Sequence, residues 1–79
     1  MMENPVRNVL REIAPTVMEA SRRLGLGFEA VRWVTRGLPR EIPARFKLAL
    51  VEKQGWNAER LAALEKEYAT WREQRGEGQ

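Results

Sequence analysis

The chain has no cysteine and no histidine, and no Asp either; every acid is Glu and the only Ser is Ser21. Without thiols there is no disulfide framework and no thiolate metal site. Without imidazoles the His-based zinc sites are excluded. Neither a Ser-His-Asp nor a Cys-His nucleophile system can be assembled. Pairs of Glu can run glycoside hydrolysis, but a small helical chain offers little cleft for a sugar. The expectation is a protein that is not an enzyme and uses no metal or cofactor. No run of about 18 apolar residues occurs, so no spanning helix is expected. The start MMENPVRNV lacks the apolar stretch of a signal peptide. A cytoplasmic location is the resulting expectation.

What is present suits one small domain. The chain has 79 residues, 43% of them hydrophobic. A domain this short buries only about 60% of the surface its unfolded chain exposes, and association with a second copy is one usual remedy. The net charge of +3 is unevenly spread. From Pro5 to Lys53 ten Lys and Arg face five Glu; from Gln54 onward four face five. A basic face on a small domain is the electrostatic footprint of a nucleic-acid binder, although solvated surface charge looks the same in sequence.

The apolar spacing predicts five helices and no strand, an all-α bundle. The first opens with Asn4 as N-cap and Pro5 at the first helical position. It buries Val6, Val9, Leu10 and Ile13, and ends near Ala14 because Pro15 disfavours helix just before it. The second starts at Thr16, where T-x-x-E with Glu19 forms a capping box. Its inner face is Val17, Ala20 and Leu24, and Gly25 ends it. The third runs from Phe28 to Arg36 and stops at Gly37-Leu38-Pro39. The fourth runs from Pro43 to Gln54 with Phe46, Leu50 and Val51 on one face, Leu48 and Ala49 alongside, and Gly55 at its end. The fifth starts at Asn57 and continues to about Gln74. This divides the chain into a core, residues 1–56, a C-terminal helix, 57–74, and a frayed tail, 75–79.

Residues 16–39, TVMEASRRLGLGFEAVRWVTRGLP, have the layout of a helix-turn-helix, the motif that sets its second helix in the DNA major groove. The first helix needs a small residue where the second crosses it, and Ser21 supplies one. The turn needs a left-handed residue, and Gly25 supplies it. Ala20, Leu24, Leu26, Val31 and Val34 fill the apolar positions. This register puts Val34 inside and Trp33 at the DNA-facing edge. A turn one residue longer would bury Trp33 instead. An ordinary helical hairpin would match several of these positions by chance.

Residues 15–54 resemble the phage Cro/repressor type of helix-turn-helix, through E-A-S-R-R-L-G-L and V-R-W-V-T-R-G-L-P. The continuation I-P-A-R-F-K-L-A-L-V-E resembles the region after the motif in the lambda cII type of activator. The resemblance spans roughly residues 15–71. It implies an all-α fold, binding to double-stranded operator DNA as a dimer or tetramer, and a regulator of phage, plasmid or mobile-element type. The recognition helix departs from the family, which begins it with polar base-readers; here stand Gly27, Phe28 and Glu29. Phe28 can touch a thymine methyl and Glu29 can accept from cytosine N4. Arg32 and Arg36 are better readers, because Arg pairs bidentately with guanine. Arg22, Arg23, Arg40, Arg45 and Lys47 suit phosphate contacts, which position without reading sequence.

In the C-terminal helix Leu61, Leu64, Tyr68 and Trp71 are spaced 3, 4, 3 like a coiled-coil seam, flanked by charge. They either join copies of the chain or pack on its own core. The main functional expectation is therefore a sequence-specific DNA-binding regulator that self-associates. The alternatives are a protein-interaction module on the same fold, motivated by Phe28 and Trp33, and an accessory factor in DNA packaging or recombination.

Overall fold

A computed structural model describes residues 3–76. Among them five α-helices and no strand form: α1 (Pro5–Ile13), α2 (Val17–Leu24), α3 (Phe28–Thr35), α4 (Ala44–Gln54) and α5 (Ala58–Gly76). No helix among these residues is long and apolar enough to cross a membrane. One apolar core joins all five helices, with α1 packed on α2, α3 and α5, and α2 on α3 and α4.

The local signals set the boundaries. Asn4 Oδ1 accepts from Val6 N at 2.9 Å, and Pro5 opens α1. Val6, Val9, Leu10 and Ile13 are buried. Thr16 Oγ1 accepts from Glu19 N at 3.1 Å. The reciprocal half of the expected capping box is replaced, because the Glu19 carboxylate lies 3.5 Å from Arg23 Nε, one helical turn on. Gly25 ends α2 at φ 70, the left-handed geometry that favours glycine. Asn57 Oδ1 accepts from Arg60 N at 2.8 Å and caps α5.

Three expectations are revised. On α4 the buried face is Phe46, Ala49 and Leu50, and Val51 is exposed. Helical periodicity explains this, since Ala49 and Leu50 lie one turn from Phe46 while Val51 lies well round the helix from it. The coiled-coil seam is the second. Leu64, Tyr68 and Trp71 are buried within the chain's own core, and Leu61 packs partly against it. The thin core takes up these large side chains, which is the second of the two readings that their spacing allowed. Nor is Arg75 part of a loose tail, because it belongs to α5 and bonds to Arg36 O. The expected fraying of residues 77–79 concerns residues outside those described.

Candidate nucleic-acid interface

α2 and α3 are joined by three residues, Gly25 to Gly27. Ser21 is buried at the crossing, and its hydroxyl donates to Val17 O at 2.7 Å, so the small polar residue is satisfied within its own helix. Leu26 N donates to Ser21 O at 3.0 Å and tightens the turn. Val31 and Val34 hold α3 to the core from below. Val34 is 1% exposed and Trp33 47% exposed, so the register with Gly25 as turn residue is the one adopted.

The C-terminal end of α3 is held by side chains from distant parts of the chain. Asn4 Nδ2 donates to Val34 O at 3.0 Å and to Thr35 O at 2.9 Å. Arg75 Nη1 donates to Arg36 O at 2.7 Å, and Arg72 Nε to Gly37 O at 3.0 Å. The Tyr68 hydroxyl donates to Pro39 O at 2.7 Å. A helix leaves its last carbonyls without intrahelical partners and carries partial negative charge there. The Asn4 amide answers that need at Val34 and Thr35, and the two guanidiniums and the phenol hold the carbonyls of the cap and of the turn that follows. Gly37, at φ 73, lets the chain turn beneath α5; a Cβ there would stand 2.5 Å from the Trp71 ring. Burial pushes the Tyr68 phenol above its ordinary value of 10.0, with Arg72 and Arg75 pulling the other way.

Sequence reasoning found Asn4 only as a cap and missed its second role. One side chain caps the start of α1 with its oxygen and the end of α3 with its nitrogen. Its neighbours at position 34–35 are some thirty residues away in sequence, and no local signal points to them. Arg72 and Arg75 were likewise invisible as supports, because surface Arg on a last helix has no distinctive spacing.

The predicted readers lie on α3 and, for Arg36, at the C-cap just beyond it. Glu29, Arg32 and Arg36 are exposed, and Phe28 is half-buried. No ion pair to Arg32 or Arg36 is found among the described residues. Trp33 lies beside them and borders a crevice of about 210 Å³ with Leu26, Ala30, Pro43 and Arg45. Arg45 is thus brought next to α3.

The other expected phosphate contacts divide. Arg22 and Arg40 are exposed and carry no ion pair among the described residues. Arg40 borders a different depression, with Glu41, Lys66 and Tyr68. Arg23 donates to Ile13 O at 2.6 Å and so closes the end of α1, where Pro15 stops the helix. Lys47 is paired with Glu65 and ties α4 to α5. These two cations are engaged by oxygens of their own chain.

The chain matches no family model, no curated protein and no solved structure.

Proposed function

We propose that the protein binds double-stranded DNA sequence-specifically through the outward face of α3 and acts as a transcriptional regulator of phage, plasmid or mobile-element type. The observation that carries this reading is the pair Arg32 on α3 and Arg36 at its C-cap, four residues apart, exposed and without an ion pair among the described residues, with the helix fixed from below and at one end. Arg offers guanine two parallel donors, and fixing the helix beforehand lowers the ordering cost of presenting them. Glu29 and Phe28 lie at the entry to the groove in this reading. Arg22, Arg40 and Arg45 contact phosphates, and Arg45 is the best placed.

The test is selection of binding sites from randomised duplexes, followed by polarisation titrations over a range of salt. A selected site should be bound at least about a thousandfold tighter than random duplex. Replacing Arg32 or Arg36 with Ala should lower that ratio. Replacing Arg45 with Ala should weaken all duplexes alike and reduce the salt slope by about one. Absence of binding at low salt overturns the reading.

A second reading, a protein-interaction module, is favoured by the exposed Trp33 and its apolar crevice. Trp and Arg together are the residues that most often anchor protein interfaces. Trp33→Ala separates the two readings. It should abolish a stoichiometric protein partner while leaving most of any DNA affinity. A chain that binds no stoichiometric protein partner removes the second reading, and a partner retained by this variant removes Trp33 as its anchor.

A further inference from the structure

Of the three Trp in the chain, two are used by the fold. Trp56 and Trp71 are buried, and each carries a guanidinium over its ring, Arg60 at 3.8 Å and Arg75 at 4.8 Å from the ring centre. Trp33 differs on both counts. It is exposed on α3, and no guanidinium covers its ring among the described residues. Helical spacing sets it three or four residues from Glu29, Ala30 and Arg36, so the four share one side of the helix. Phe28, five residues before it, lies well round the helix.

The crevice beside Trp33 lies where α3 meets the start of α4. Ala30 and Trp33 line it from α3, Pro43 and Phe46 from the other side, and Arg45 is the only charged residue that borders it among those described. Arg45 has no ion pair among the described residues. An occupant that suits this border is apolar where it enters and anionic beside that point. A DNA strand has this pattern in the major groove. The groove floor offers one apolar group, the C5-methyl of thymine, and the phosphates of the same strand run along the groove edge.

We infer that Trp33 is a base-reading residue, its ring and the adjoining crevice taking the C5-methyl of one thymine while Arg45 meets a phosphate of the same strand. The placement of Trp33 favours the duplex over a protein segment as occupant. Whatever brings Arg36 to a base edge brings the ring one turn away to the same groove. This assignment rests on the DNA-binding reading and adds a base that the arginines do not read. Arg32 and Arg36 select guanine, and Trp33 selects a thymine by a group that no other base presents.

Uracil differs from thymine only in lacking this methyl. The duplex selected by the full chain is remade with a single uracil in place of each thymine in turn, and binding is followed by polarisation. One such uracil should weaken wild-type binding about three- to fivefold, the worth of one methyl removed from water. Trp33→Ala should bind the thymine duplex weaker by a similar factor and no longer distinguish uracil at that position. Trp33→Phe keeps a ring and should restore part of the preference. Phe28→Ala should keep all of it, and Arg45→Ala should weaken both duplexes equally. Helical circular dichroism verifies that each variant folds.

No binding of any duplex at low salt overturns the DNA-binding reading, and this assignment with it. Binding in which no thymine is sensitive to uracil overturns the assignment alone. So does a uracil preference that survives in Trp33→Ala. If that preference vanishes in Phe28→Ala, Phe28 is the methyl's contact; if it survives in both, the crevice is left to a protein partner.

Discussion

At its C-terminal end α3, with the turn that follows, gives carbonyls to Asn4, Arg72, Arg75 and Tyr68. At its N-terminal end Gly27 provides no side-chain cap, and the turn before it is three residues long. The same short helix is therefore tied down at one end and bare at the other. Helix ends in water lose little by being bare, because solvent satisfies their groups. Ends set under another helix must be answered by the protein. The contrast shows where α3 gets its direction. Its inner face fixes its depth and its far end fixes its angle, while its outer face and first turn stay free to meet something else.

The contrast can be strained most severely at Gly37. A Gly37→Ala chain must hold Ala at positive φ and place a methyl against Trp71. The two penalties together come to about 3 kcal/mol, a large share of the stability of a small domain. Thermal unfolding should show a drop of many degrees; a shift of only a degree or two would mean α5 does not press on the turn.

Asn4→Ala comes next, at about 2–3 kcal/mol. It removes a cap worth about 1 kcal/mol and leaves the part-buried Thr35 O without its donor, which adds about 1–2 kcal/mol. Urea titration should give a lower midpoint at unchanged slope. Asn4→Asp keeps the cap on α1 but cannot donate to α3. A variant as stable as wild type would show that the bonds to Val34 and Thr35 matter little.

Tyr68→Phe should cost about 1 kcal/mol at neutral pH through loss of the bond to Pro39 O. It also carries a pH dependence of known sign. The folded state raises the Tyr68 pKa, so it favours the neutral phenol. That contribution is complete below the unfolded value and is lost as pH rises through the folded one. Wild type should therefore lose stability above about pH 10 more steeply than Tyr68→Phe. Equal alkaline slopes would remove Tyr68 as the cause.

The smallest effect is expected at the bare end and has the opposite sign. Gly27 has ordinary negative φ, and a Cβ there meets nothing within 4 Å. Gly27→Ser should add a cap and stabilise by a few tenths of a kcal/mol. A loss instead would show that the N-terminal end has a structural demand of its own. The same variant, if DNA is bound, tests whether the first turn of α3 approaches the duplex closely.

Most helix ends were legible in the sequence because they rest on contacts within four residues. Asn4-Pro5, Thr16, Gly25, Gly55 and Asn57 each announce a boundary through local stereochemistry. The pairing of α2 and α3, with Ser21 at the crossing, was legible for the same reason, since a three-residue turn leaves little choice. On α4, however, Phe46, Leu48, Ala49, Leu50 and Val51 offered more apolar residues than one face can take. Which of them turn inward depends on where α2 lies, and composition does not say. The spacing of Leu61, Leu64, Tyr68 and Trp71 fits an internal stripe and an intermolecular seam equally well.

The sequence by itself determined five helices, most of their ends, the absence of cysteine and histidine chemistry, and a basic surplus ahead of α5. Those properties follow from residue type and near-neighbour geometry. Only the tertiary structure decided that Val34 lies inside and Trp33 outside, and that α5 completes the core. It also decided that Asn4, Arg72 and Arg75 hold the end of α3, and that Leu48 and Val51 are left bare on α4. Each of these depends on which distant surfaces compete for the same side chain, and burial goes to whichever arrangement fills the thin core and satisfies its carbonyls together.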